Sequence, residues 1–224
     1  MASRNDGPPT IEEAESEVVA ADDVDWAVET DVLVGGGGGT GLVAGLAAAE
    51  NDDLTVTIME KADAFGGNTS LSTGMIPAAG TRLQAAAGID ESPEAMARDI
   101  LEKNDYAADE DRVLHLCRES APLVHWLVDD WDVDLHLVDD FKYPKHSEYR
   151  MHAPEGNNGA NLVAELVDIL EARENVEVLT NTPVTKLVAE DGGVAGVVAG
   201  KRREEAIRTE KVILATDGFG GNRR

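Results

Sequence analysis

From Asp31 onward, short apolar runs alternate with loops of small and polar residues, a rhythm that predicts an α/β fold. Residues 31–34, Asp-Val-Leu-Val, read as a buried strand. A glycine loop over 35–41 leads into a small-residue helix over 42–50, and residues 54–59 read as a second strand ending at Met59 and Glu60. After a loop rich in Gly, Ser and Thr over 66–80, the periodicity turns helical from Pro93 to about Val128. Ser92 before Pro93 fits an N-cap with proline at the first helical position. Pro122 is expected to start a fresh helix, turning Leu123, Trp126 and Leu127 inward. A loop over 138–159 precedes a helix whose Leu162, Val163, Leu166, Val167 and Leu170 share one face. Four short strands follow at 176–179, 184–188, 194–198 and 211–216. The turn Asp191–Gly192–Gly193 joins the second to the third as a hairpin. The expected architecture is a parallel sheet with inserted helices and a small antiparallel meander. Residues 1–28, acidic and carrying Pro8–Pro9, read as a solvated, disordered leader, with the domain spanning 29–224.

The string Val-Gly-Gly-Gly-Gly-Gly-Thr-Gly-Leu contains one register of Gly-x-Gly-x-x-Gly: Gly36, Gly38 and Gly41, with Gly39 and Thr40 between. The first glycine makes a tight strand-to-helix turn, the second admits a pyrophosphate to the backbone, and the third lets helix and strand pack closely. Glu60 ends the next strand nineteen positions after Gly41. That is where a carboxylate receives the two hydroxyls of an adenosine ribose, and an acid there disfavours a 2′-phosphate. The arrangement is Rossmann-like, and NAD and FAD both satisfy it.

The segment EKADAFGGNTSLSTG, from Glu60 to Gly74, distinguishes the two. The strings DVLVGGGGGTGL, IMEK, FGGNTSLSTG, SEYRMHAPEGNNG and KVILATDGFGGN occur in this order between Asp31 and Asn222. Together they resemble the flavoprotein family of soluble fumarate reductases and 3-ketosteroid dehydrogenases, related to succinate dehydrogenase flavoprotein subunits. The resemblance implies an FAD-binding domain. It places Glu60 and Lys61 at the adenosine ribose, Gly67, Asn68 and Thr69 along the diphosphate and ribityl, and Thr73 and Gly74 near the isoalloxazine. It also places the strand start Thr182–Pro183–Val184 at the adenine, and Thr216 and Gly218 in a turn closing over the cofactor. Asp217 departs from the pattern, which has glycine there. Relatives that attach FAD covalently carry a histidine in the loop after the second strand; none occurs between Lys61 and Gly80, so the FAD is expected to be noncovalent.

The resemblance further implies hydride transfer between flavin and a carbon–carbon bond beside a carbonyl or carboxylate, with a dicarboxylate or ketosteroid-like small molecule as substrate. In the family the proton donors and substrate-holding residues mostly follow the ATGGFGGN-type turn, so no catalytic residue is named here. The capping domain and the closing segment are expected from a downstream segment or a second chain. A non-catalytic FAD-binding module, or a truncated product needing that second chain, is the alternative, and a plain NAD-dependent dehydrogenase is a weaker third. Ser147, Arg150 and His152 form a candidate cluster whose simplest role is to order a loop by hydrogen bonds. His115, His125 and His136 read as partly buried structural residues. The acids between Asp129 and Asp140 alternate with Trp131, Val133 and Leu135, the pattern of a solvated strand or loop face. No metal site is expected. The single cysteine, Cys117, excludes structural disulfides, thiolate zinc and iron–sulfur centres, and reads as a small hydrophobe on a helix.

The chain of 224 residues has 44 Asp and Glu against 19 Lys and Arg, a net charge of −25. That field repels nucleic acid. No apolar run reaches the length of a membrane span, and no export signal is apparent, so a cytoplasmic location is the expectation. Like charges about 10 Å apart in water repel by roughly 0.4 kcal/mol. Near 1 M salt the screening length falls to about 3 Å. Scattered acids, with Arg outnumbering Lys, therefore read as the composition of a halophile protein. Thermal melts followed by circular dichroism are expected to shift to lower temperature as salt is removed; a melt indifferent to salt would contradict this reading.

Overall fold

A computed structural model describes residues 18–218 and divides the chain into two units, one from Met1–Gly67 and Leu166–Arg224, the other from Asn68–Glu165. The chain forms β1 (Val18–Ala20), β2 (Trp26–Gly35), α1 (Gly39–Ala49) and β3 (Val56–Met59), with the single helical turn α2 (Gly67–Ser70) at the unit boundary. Next come β4 (Ile76–Pro77), α3 (Arg82–Ala86), α4 (Pro93–Lys103), α5 (Glu110–Asp129), β5 (His136–Leu137) and β6 (Met151–Ala153). Helix α6 (Gly159–Glu171) leads back to β7 (Val176–Leu179), β8 (Val184–Glu190), β9 (Gly193–Ala199) and β10 (Glu205–Leu214).

The first unit is built on a seven-stranded sheet of order β1-β8-β9-β10-β2-β3-β7. Strands β10, β2, β3 and β7 run parallel, with Gly35 opposite both Leu214 and Met59. Strands β8, β9 and β10 form the antiparallel meander, joined by a turn in which Asp191 and Gly192 both take positive φ, the geometry of a two-residue hairpin loop. Leu33, Met59, Val197, Ala199 and Ile207 make one apolar cluster between meander and parallel strands. Helix α1 buries Leu42 and Leu46 completely. It comes so close that a Cβ on Gly45 would stand 2.3 Å from Ile58 Cδ1.

Among the described residues, the strands of this unit begin earlier than expected. Residues 18–28, assigned to the leader, are largely strand: Val18 to Ala20 pair with Leu187 to Ala189 of β8, and β2 starts at Trp26. The Trp26 ring covers Gly196, where a Cβ would meet it at 2.6 Å, and lies 5.1 Å from the Arg208 guanidinium. Burying an indole and adding a cation over its face offsets the acidity that argued for disorder. The leader from Met1 to Glu17 lies outside the described residues, as do Phe219 to Arg224.

In the second unit, Ser92 caps α4 by accepting the Ala95 N–H. Pro122 does not start a new helix; it sits inside α5, which runs unbroken for 20 residues. Val113, Cys117, Ala121, Val124 and Leu127 form one continuous buried stripe on that helix. Burial of the stripe outweighs the roughly 3 kcal/mol that an interior proline costs. The continuous helix also turns Leu123 outward, contrary to the inward placement expected; Val124 and Leu127 take the core positions, and Trp126 is half-buried. Cys117 packs with Met96, Ala97, Leu101 and Val113, and burial raises its thiol pKa. Trp131, Val133 and Leu135 are buried while the intervening aspartates are exposed. His115 and His136 are exposed, not partly buried, because their neighbours in sequence fill the buried faces; His125 is half-buried and accepts the Arg82 N–H at 3.0 Å.

Ser147, Arg150 and His152 serve structure. Arg150, 1% exposed, pairs with Glu91 and Asp99 and donates to Ser147 Oγ at 3.1 Å. Burial works to raise the Asp99 pKa, yet the Ser147 N–H and O–H and the Arg150 guanidinium outweigh it and hold that pKa down. Burial pushes the Glu91 carboxyl up despite the Gln84 amide and Arg150. His152, fully buried on β6, shares a 2.8 Å hydrogen bond with Thr81 Oγ1, the cap of α3.

Arg150→Ala strands the buried Glu91 carboxyl and takes the cation from half-buried Asp99, and we expect it to cost about 3 kcal/mol in urea unfolding at constant salt; a change within 0.5 kcal/mol, about the scale of a surface substitution, would contradict the network's role. Burial also holds the His152 imidazole below its usual 6.5, so its contribution to stability is present above pH 6.5 and lost as pH falls through the lowered value. The His152 ring proton, assigned by its disappearance in His152→Gln, should titrate below 6.5; a midpoint at or above that value would overturn the assignment.

Candidate functional site

The end of β2 is a place where backbones meet without room for side chains. Gly36 takes φ +115, and a Cβ there would stand 2.3 Å from the Ala215 carbonyl oxygen. A Cβ on Gly41 would stand 1.8 Å from Gly36 O. Both glycines are therefore demanded by the fold itself, as the tight turn and the helix contact. Gly38 differs. It precedes α1 in an ordinary extended conformation, φ −81, and a Cβ there would meet nothing closer than Gly66 O at 3.8 Å. Open space at this position, against the start of an eleven-residue helix, is what a diphosphate approaching the backbone requires. Gly39 opens α1, and Thr40 is exposed on its first turn.

Glu60 is 8% exposed at the end of β3. Its Oε2 accepts the Gly37 N–H at 2.8 Å and its Oε1 accepts the Ala62 N–H at 2.8 Å. Each oxygen keeps acceptor capacity for a further donor. The carboxylate is thus fixed in place before any ligand arrives, while Lys61 beside it is exposed. Gly67, at φ +52, lies against Gly38, a Cβ there meeting Gly38 Cα at 3.4 Å. Val184 begins β8 and reaches Gly35, a Cβ on which would stand 3.3 Å from Val184 Cγ2. Ala215 donates to Gly35 O at 2.8 Å, carrying Thr216 to the Gly36 turn, where Thr216 N stands 3.2 Å from a Cβ on Gly36. Asp217 replaces glycine by adopting φ 65 on the surface, with its Oδ1 accepting the Gly218 N–H at 2.8 Å. Aspartate tolerates that left-handed conformation better than most residues. The first unit therefore gathers Gly36, Gly38, Gly41, Glu60, Gly67, Val184 and Thr216 around one strand end, and leaves Gly218 exposed with no atom within 4 Å of a Cβ.

Gly37, the third glycine of the run, has its own reason. A Cβ on Gly37 would stand 2.2 Å from Phe65 Cδ1, and Gly37 O accepts the Gly66 N–H at 2.8 Å. Gly37 and Phe65 thus hold the loop after β3 against the glycine turn. No sequence spacing announces that contact, although the surplus glycine is a sign that something packs there.

In the second unit the Asn68 to Gly74 loop is tied to the start of α6. Ser72 donates through N and Oγ to Thr69 O, at 3.1 and 2.8 Å, and its Oγ accepts the Gly74 N–H at 3.0 Å. Gly159 donates to Ser72 O at 3.0 Å, and a Cβ on Gly159 would stand 2.0 Å from Thr69 O. Gly74 takes φ +68 with Gly159 Cα 2.8 Å from where its Cβ would be. Asn68 and Thr73 are exposed, Thr69 is half-buried and Gly74 is buried. Ser72 and Gly159, not singled out from the sequence, are the residues that shape this loop.

Comparison with known proteins supports the same reading. Residues 31–224 match the FAD binding domain family, FAD_binding_2. The chain is 33% identical over 198 residues to urocanate reductase of Eggerthella lenta, covering 87% of this chain and 32% of the relative. It superposes with a TM-score of 0.79 and 28% identity on the open conformation of a flavocytochrome c3 fumarate reductase, covering 98% of this chain and 38% of that one. A 3-ketosteroid-Δ4-(5α)-dehydrogenase from Rhodococcus jostii RHA1 gives 0.74 and 28%, covering 91% and 49%. The chain thus spans about a third of the length of the curated relative it matches. With a glycine turn that leaves room for a diphosphate at Gly38 and a preset carboxylate at Glu60, the chain belongs to the FAD binding domain family, and its cofactor is FAD.

Proposed function

We propose that this chain is the FAD-holding part of a flavoprotein oxidoreductase of the fumarate reductase type, with FAD bound noncovalently. The substrate class is a small molecule with a carbon–carbon bond beside a carbonyl or carboxylate, a dicarboxylate or a ketosteroid-like compound. Bound flavin supplies hydride transfer. The observation that carries the reading is Gly38, the glycine of the turn whose missing side chain leaves space that the protein itself does not use.

The residues divide the work by chemistry. Gly36 and Gly41 fix the turn, and Gly38 admits the diphosphate to the start of α1, where Gly39 and Thr40 contribute donors and the helix contributes its positive end. Glu60 accepts the ribose hydroxyls, and Lys61, Val184, Thr216 and Gly218 frame the adenosine half. Gly67, Asn68 and Thr69 follow the diphosphate and ribityl, and Thr73 and Gly74 come near the isoalloxazine. In a chain of net −25, short-range donors must outweigh a field that repels the anionic cofactor. A cytoplasmic, high-salt setting agrees with that charge; among the described residues no helix is long and apolar enough to cross a membrane.

A second reading, an FAD-binding module that needs another segment or chain for turnover, is favoured by one observation. Arg150, Glu91, Asp99 and His152 are committed to one another or to structure, so this cluster is not free to move the proton of the reaction.

Purification in molar salt with FAD should give a yellow protein whose flavin is released into the supernatant by acid precipitation; flavin retained in the pellet would contradict noncovalent attachment. Reoxidation of the reduced protein by fumarate or an enone separates enzyme from module. Gly38→Ala should leave the melting temperature of the cofactor-free protein unchanged and lower FAD affinity by at least about tenfold, whereas Gly41→Ala should destabilise the cofactor-free fold. Equal FAD affinity for Gly38→Ala and the parent protein would overturn the placement of the diphosphate.

A further inference from the structure

We propose that the first unit carries a second ligand site, beside the strand start placed at the adenine, for a small amphipathic anion: an apolar body bearing one carboxylate, sulfonate or phosphate. A cavity of about 690 Å³ is walled by the loop joining β9 to β10 and by side chains of β2, β3 and β7. That volume lies in the range that holds a small organic ligand. Of the residues that the resemblance places at FAD, only Thr182, two positions before Val184, lines it.

The two sides of the cavity differ in character. Met59, Leu179, Ala199 and Ile207 form an apolar floor that continues into the core beneath the meander. Lys201, Arg202 and Arg203, the one run of three cations in the sequence, form an exposed rim. Arg203 is paired with Glu205 at 3.5 Å. Lys201 and Arg202 have no carboxylate partner among the described residues. Glu177 also faces the cavity, so three cations stand against two acids and the rim remains locally positive.

This local sign is opposite to that of the chain as a whole, whose net charge is −25. An anion held here gains only direct, charge-assisted hydrogen bonds, because the long-range field opposes it. Those contacts alone favour no ligand over dissolved chloride in a salt-rich medium. The apolar floor supplies the discrimination, since burying hydrocarbon yields about 25 cal/mol per Å² and a hydrated inorganic ion gains nothing from it. A headgroup on the rim and an apolar body on the floor is the arrangement that uses both surfaces.

The probe is 8-anilinonaphthalene-1-sulfonate, titrated by fluorescence into the full chain saturated with FAD, in parallel with the uncharged N-phenyl-1-naphthylamine. One saturable site is expected for the sulfonate. Lys201→Gln/Arg202→Gln, a surface change whose folding is checked by near-ultraviolet circular dichroism, should weaken the sulfonate by about tenfold and leave the uncharged probe within about twofold. FAD affinity, measured separately, should be the same in both proteins, so failure here is distinct from failure of the cofactor assignment. Equal sulfonate affinity in variant and parent, or no saturable sulfonate binding by the FAD-saturated parent, would overturn the proposal.

Discussion

At the end of β2 the backbones of Gly36, Gly41 and Ala215 approach within distances that no β-carbon could share. This close approach fixes where α1 begins, how β10 leaves the sheet, and therefore where Gly38 faces open space. The second fixed point is Glu60, whose two oxygens are anchored by Gly37 and Ala62. A carboxylate held by two backbone N–H groups keeps its place without a ligand, so binding need not organise it. Preorganisation of this kind lowers the entropic cost of binding an extended dinucleotide.

The acidity of the chain imposes the opposing constraint. FAD carries a diphosphate, and the summed field of this protein repels it. Two features answer at short range: the N-terminus of α1 and the small residues of the loops, which let donors come within hydrogen-bond distance. The same opposition between local contact and overall field gives the Lys201 to Arg203 rim its significance. High salt suppresses such repulsion while leaving contact hydrogen bonds in place.

Much of this was legible in the sequence because it is local. Gly36, Gly38, Gly41 and Glu60 obey a spacing dictated by one strand, one turn and one helix, and the Ser92 cap and the Asp191–Gly192 hairpin are equally short-range. What escaped depends on partners distant in the chain. Trp26 orders residues once assigned to a leader because Gly196 and Arg208 come beneath its ring. Pro122 stays inside α5 because a buried stripe on both sides of it has a packing partner. Phe65 against Gly37, Gly159 against Thr69, and Glu91 with Asp99 on Arg150 likewise join segments that no periodicity connects. At Asp217, where the resemblance puts glycine, the residue present takes a left-handed φ that aspartate tolerates.

The central claim is that the first unit recognises FAD through its adenosine diphosphate half. The most direct measurement is the affinity of the full chain, in molar salt, for FAD against FMN, which carries the same isoalloxazine and ribityl without the adenosine. The account predicts that FAD binds at least about a hundredfold tighter. Equal affinities would contradict it, because the glycine turn and Glu60 would then contribute nothing to holding the cofactor.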